Sequence, residues 1–121
     1  MSDITGSVAD SGFTAYIAGP MTGYPEFNRH AFDEAEDLLK TTTGYTVINP
    51  ISLDFEGGLD CTGKSGYELR SREEMLVIIK RDLDAILGCQ MMLMLEGWEK
   101  STGARAEHAV AVWLGIAIVY Q

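Results

Sequence analysis

Apolar residues fall into short blocks separated by glycine, proline and acidic residues, and the blocks alternate between two spacings. FTAYIA, at 13–18, is a β-rich run that stops at Gly19-Pro20, a strong breaker. Beyond MTGYPEF, the positions Phe27, Ala31, Ala35, Leu38 and Leu39 recur at helical spacing and predict a helix over 28–40, with Asn28 as its N-cap. Gly44 leads into a second strand, 45–49, closed by Pro50. A second helix is predicted from 68 or 71 to 87. It would bury Leu76, Ile79, Leu83, Ile86 and Leu87, and Gly88 would stop it. A third strand follows over 90–96, a third helix over 103–114 and a fourth strand over 116–120. Residues 51–67 carry glycine and aspartate with no period, which reads as a flap, a binding loop or a disordered stretch.

Strands alternating with helices predict an α/β fold. The expected form is a flavodoxin/Rossmann-like three-layer sandwich on a mainly four-stranded parallel sheet, with right-handed crossovers covering both faces. One domain would span 13–121, after a polar and flexible N-terminal segment, 1–12. In such sheets ligands bind beyond the carboxyl ends of the strands, where the strand order reverses. For an order 2-1-3-4 that point lies between the first and third strands. The loops 19–23 and 97–103 would then share one pocket.

Composition narrows the partners. The 121 residues suit one domain, and 46% hydrophobic content supplies a core. A net charge of −9, from 18 acids against 9 bases, argues against nucleic-acid polymers and anionic membranes. It leaves room for a small phosphorylated ligand held by local N–H dipoles. No apolar run reaches the roughly 18 residues of a membrane span, and MSDITGSVADSG lacks the basic and apolar regions of a secretory leader, so a cytoplasmic location is expected. Cys61 and Cys89 make no disulfide framework or metal-ligand set. Cys89 reads as core and Cys61 as a free thiol. Neither GxGxxG nor GxxxxGK(S/T) is present, so no dinucleotide, NTP, metal or other cofactor is expected.

The stretch STGARAEHAVAVWLG, at 101–115, carries the most chemistry. After the apolar run QMMLML, its small residues form a turn feeding a helix N-terminus, an arrangement that holds an anion on free backbone N–H groups. Glu107 is then either a solvated carboxylate favoured by the helix dipole or a carboxylate working on a neighbour of the phosphate, such as a sugar carbon. Ala104, Ala106, Ala109 and Ala111 keep the helix slender around it. Ala111, Val112 and Leu114 read as a largely buried helix. Ser101, with Thr102 and Gly103, caps the helix, ligates a phosphate, or does both. Arg105 would face a substrate anion or pair with Glu107 or Glu99, and His108 would be packed, exposed or catalytic. Tyr16 lies within the first strand, as a core residue or a site residue. Gly19 and Gly23 permit close approach to a ligand. Asp82 lies at the edge of the second helix's apolar stripe, either solvated or functional.

YIAGPMTGYPEFNRHAF, the strand-ending VINP, RDLDAILGCQMMLMLEGW and STGARAEHAVAVWLG follow in an order and spacing that resemble the nucleoside 2-deoxyribosyltransferase superfamily. That superfamily also includes the 2′-deoxynucleoside 5′-phosphate N-hydrolases and small phage and bacterial relatives. The resemblance covers 13–120 apart from 51–67. It implies a carboxylate nucleophile at Glu107, an acid at Asp82, and substrate contacts from Tyr16, Gly19, Pro20, Met21, Thr22, Ser101, Gly103 and Arg105. The activity implied is cleavage of the N-glycosidic bond of a 2′-deoxynucleoside or its 5′-monophosphate through a covalent glutamyl-deoxyribosyl intermediate, by hydrolysis or base exchange. A homodimer or higher homo-oligomer is implied as well. The alternative is a non-catalytic module that binds a nucleotide or sequesters a nucleotide signal, as a phage-encoded protein would. Three departures from the pattern stand out. Thr22 occupies the place of the hydrolases' arginine, Gln90 that of an acidic residue, and larger members continue past the fourth strand. Arg105 or Arg29 could stand in for the missing cation.

Overall fold

The computed structural model describes residues 12–121, so the expected flexible segment lies, but for Gly12, outside the described residues. Strands β1 (Thr14–Ala18), β2 (Thr46–Ile48), β3 (Met91–Met94) and β4 (Ala117–Tyr120) run parallel in the order β2-β1-β3-β4. This is the order for which the sequence placed the reversal between β1 and β3. Tyr16 pairs in register with Ile48 on one side and Met92 on the other. Alternation along the strands sorts side chains onto two faces. Ala15, Ile17 and Leu93 meet Phe27, Phe32, Ala35, Leu39 and Ile51 on one, while Tyr16, Ala18, Met92 and Met94 meet Ile86, Ala104 and Ala111 on the other. The first face is covered by α1 (Arg29–Thr43) and α2 (Pro50–Glu56), the second by α3 (Arg72–Leu87) and α4 (Thr102–Leu114). The fold is therefore the three-layer α/β sandwich of flavodoxin/Rossmann type. None of the described helices is long and apolar enough to cross a membrane.

Three expectations are corrected. Residues 51–67 are not one featureless loop, because 50–56 form α2. Pro50 supplies a pre-set φ at its start, and the Asn49 side chain accepts a hydrogen bond from the Ile51 amide at 2.9 Å. A helix of about two turns is too short to show a hydrophobic period. On α3 the buried line is Ile78, Asp82 and Ile86, spaced four apart, whereas Leu76, Ile79 and Leu87 are exposed. The apolar arc of α3 is wider than the stripe its own sheet covers, and Asp82 stands at the centre of that stripe instead of its edge. Likewise Leu38, Val112, Trp113 and Leu114 are exposed, so α4 is buried only along Ala104 and Ala111.

Helix ends follow local chemistry. Ser71 and Glu74 form a reciprocal capping box at the start of α3. Asn28 precedes α1, but at φ 68° its side chain does not cap. Its Nδ2 donates instead to the Pro20 carbonyl at 2.9 Å. Cys89 is buried as expected. Cys61 is a free thiol but also buried, so no reactive surface thiol results.

Candidate active site

Tyr16 projects from the middle of β1 onto the α3/α4 face and is wholly buried. Its hydroxyl donates a 2.6 Å hydrogen bond to Oε2 of Glu107, on the second turn of α4. From the opposite side α3 contributes Asp82, 8% exposed, whose charge acts on both Tyr16 and Glu107. Arg81 curls back along the helix and holds Asp82 Oδ1 with Nε at 2.9 Å and Nη2 at 2.7 Å. Two carboxyl groups, a phenol and a guanidinium thus meet between α3, α4 and β1.

Burial governs their protonation. Loss of hydration pushes the Glu107 carboxyl up to about 8, with help from the Asp82 charge. The Tyr16 hydroxyl and Arg81 pull the other way without prevailing. In the free protein Glu107 therefore favours its protonated form at pH 7. Burial also raises Asp82, against the opposing pull of Arg81. Tyr16 is held well above its ordinary range by burial and then by the neighbouring Glu107 and Asp82 charges, so it stays a hydrogen-bond donor.

The start of α4 is built as the sequence suggests. Ser101 Oγ accepts the Ala104 amide at 3.1 Å, so capping is its role within the fold. The Arg105 amide bonds the Ser101 carbonyl, leaving the Thr102 and Gly103 amides as open donors of the first turn. The Arg105 side chain is exposed and pairs with neither Glu107 nor Glu99. Arg29, the other candidate cation, lies over the Phe55 ring and 3.5 Å from Asp33, engaged elsewhere. His108 is packed: it stacks on Trp98 with centroids 4.3 Å apart, and its Nε2 lies 2.8 Å from the Tyr120 hydroxyl.

The loops after β1 and β3 touch, as the strand order requires. Gly19 is buried, and a Cβ there would lie 2.7 Å from Leu95 Cβ. At Gly97 a Cβ would approach the Tyr24 hydroxyl to 3.1 Å and Pro20 to 3.4 Å. Pro20 is buried, Met21 half-buried and Thr22 exposed on this rim. A cavity of about 400 Å³ opens at the carboxyl ends of β3 and β4, lined by Met94, Glu96, Gly97, Trp98, Glu99 and Tyr120; it takes in the loop after β3 but no residue of 19–23, and neither Tyr16 nor Glu107 lines it.

Sequence reading missed Arg81, Asp54 and the strap over 59–70. The strap lies against the loop after β1. The Gly23 amide donates to the Gly66 carbonyl at 2.8 Å and the Glu26 amide to the Lys64 carbonyl at 2.7 Å, while Gly63 donates to Glu26 Oε2 at 2.6 Å. These bonds support three consecutive left-handed residues, Glu26, Phe27 and Asn28, at φ 50°, 56° and 68°. Non-glycine residues adopt that region at a cost of roughly 1–2 kcal/mol each, so the tertiary contacts hold a turn the local sequence disfavours. No sequence pattern signals it. Among the described residues no group of three or more His, Cys, Asp or Glu is arranged to hold a metal ion.

A family model described as "Domain of unknown function (DUF4406)" matches residues 13–120, and the chain belongs to that family. A comparison with curated proteins gave no match.

Proposed function

We propose that the protein cleaves the N-glycosidic bond of a 2′-deoxynucleoside or its 5′-monophosphate, as the resemblance to the deoxyribosyltransferase superfamily implies. The observation that carries the reading is the contact of Tyr16 with Glu107, beside an Asp82 that Arg81 orients. Tyr16 ties Oε2, which leaves Oε1 of Glu107 to attack C1′. The C1′–N bond breaks with its electron pair going to the base, and the base takes a proton from Asp82. Arg81 occupies Oδ1 of Asp82, so the proton would sit on Oδ2. Two carboxyl groups in different environments suit such a division of roles. Glu107 and deoxyribose are then joined as an ester. Water, or the N–H nitrogen of a second base, then attacks C1′ as Asp82 takes its proton back, and the C1′–O bond breaks with its electron pair returning to the Glu107 carboxylate.

The open Thr102 and Gly103 amides would anchor a 5′-phosphate, with Ser101 and the exposed Arg105 at the same helix end. Gly103 and Glu107 stand four residues apart on one side of α4, so a nucleotide anchored at one end would align its sugar along that side. The cytoplasm, where nucleotides are made and salvaged, is the compartment that fits this reading. The chain's net charge of −9 favours a small ligand over a nucleic-acid polymer or an anionic membrane. We place a homo-oligomer in the same proposal, because Leu76, Val77 and Leu87 on α3 and Trp113 on α4 are exposed on the outer side of one layer.

A second reading, retention of a nucleotide or nucleotide signal without chemistry, is supported by a Glu107 that favours its protonated form. One experiment separates the two. The protein is incubated with deoxynucleosides and their monophosphates, with and without an acceptor base, and chromatography reads free or exchanged base. Release or exchange of base supports the glycosidase. A nucleotide that stays bound and intact by mass spectrometry refutes it in favour of the binding module.

A further inference from the structure

Asp54, on α2, is 1% exposed, and a carboxyl buried so fully is costly unless paired. Two cations reach it from different parts of the chain. Arg70, at the end of the strap, places Nη2 3.2 Å from Oδ2 and lies over the Phe27 ring at 4.7 Å. Arg81 places Nη2 2.8 Å from Oδ1, an ion pair whose N–H is not aligned on that oxygen. The same Nη2 is 2.7 Å from Asp82 Oδ1. One guanidinium nitrogen is therefore shared by two carboxylates, one in the site and one behind it.

Neighbouring residues on a helix do not face each other, so Arg81 reaches Asp82 only by folding back. Asp54 is the external group that holds it in that position. The groups facing Asp82 come from four elements: Arg81 on α3, Tyr16 on β1, Glu107 on α4 and Asp54 on α2. We propose that Arg70, Asp54 and Arg81 are positioning residues, a charge relay centred on the buried Asp54 through which the strap fixes the Asp82 carboxyl presented to Glu107. The inference rests on the reading above in taking Asp82 as the partner of Glu107.

The relay makes predictions of opposite sign at its two ends. Asp54→Asn removes the anion that competes for Arg81, so Arg81 serves Asp82 alone and the Asp82 titration midpoint falls. Arg70→Met leaves Asp54 with Arg81 only, draws the guanidinium away from Asp82, and raises the midpoint. Both are read by ¹³C NMR titration of the Asp82 carboxyl in the labelled full chain, with thermal melts alongside. A merely structural cement would lower both melting points and leave the Asp82 midpoint in place, or move it the same way in both variants. Either result overturns the relay. If Asp54→Asn does not fold, Arg70→Met decides alone: a raised midpoint supports the relay and an unmoved one ends it. The titration needs no turnover. A chain that releases no base yet shows the opposed shifts keeps the relay and loses the glycosidase, and the converse result does the reverse.

Discussion

Tyr16 and Glu107, separated by 91 positions in the chain, are joined by a 2.6 Å hydrogen bond across the α4 face of the sheet. The phenol is wholly buried, so it cannot trade this bond for one to water without a rearrangement of the strand. It stabilises the ionised carboxylate against the burial that favours the acid.

That balance sets a pH dependence of activity. If Glu107 attacks as a carboxylate while Asp82 supplies the proton, kcat/KM for base release is bell-shaped in pH, with one limb near 8 set by Glu107. A profile already flat from pH 6 upward would contradict the raised carboxyl.

The same shift makes a stability prediction. The folded value of about 8 lies above the ordinary 4.5, so the folded chain binds this proton more tightly than the unfolded chain. The contribution is complete below pH 4.5 and is lost as pH rises through about 8. Urea unfolding at pH 5 and pH 9 should show a loss on the order of 3 kcal/mol. Glu107→Gln should remove most of that difference, whereas an equal fall in both proteins would assign it elsewhere.

Tyr16→Phe deletes the donor and leaves the ring. Without that hydrogen bond the Glu107 midpoint should climb by about one pH unit, and kcat/KM at neutral pH should drop roughly tenfold. Stability should fall by about 1 kcal/mol. A pH–rate profile of the variant that overlays the wild type would show that the phenol does not tune the carboxylate.

Glu107→Gln should cut base release by at least about 10³-fold while calorimetry finds nucleotide affinity within a few-fold of wild type. Turnover at the wild-type rate would remove Glu107 from the chemistry.

Gly66 tests the strap. It sits at φ +94°, and a Cβ there would come within 2.1 Å of the Tyr24 carbonyl oxygen. Gly66→Ala must push the strap off the loop after β1, at a cost of about 2 kcal/mol, or a melting point lower by roughly 8 °C. An unchanged melting point would mean that the strap is not held there.

The outer faces of α3 and α4 supply the last test. Val77 is 66% exposed and Trp113 89%. Sedimentation should find an oligomer that Val77→Glu or Trp113→Glu shifts toward monomer. A wild-type monomer at all concentrations would leave these side chains without a partner copy.

The strand blocks and three of the helices between them were legible because each follows from local spacing, two residues per repeat in strands and 3.6 in helices, and their alternation implied a parallel sheet. Glu107 and Asp82 were legible as residue types in a recognisable motif. The face that α3 turns to the sheet was not, because its apolar arc spans more than the stripe Ile78–Asp82–Ile86 and periodicity does not say which part of the arc finds a partner. The short α2 was hidden by its length.

By itself, then, the sequence determined the architecture and singled out the candidate residues Glu107 and Asp82, since backbone propensity and apolar spacing act over a few residues. Tertiary structure alone decided that Tyr16 would bind Glu107, that one nitrogen of Arg81 would be shared by Asp54 and Asp82, and that Glu107 would hold its proton near neutrality. Those outcomes depend on burial and on charges brought together from distant positions, and neither exists until the layers have packed.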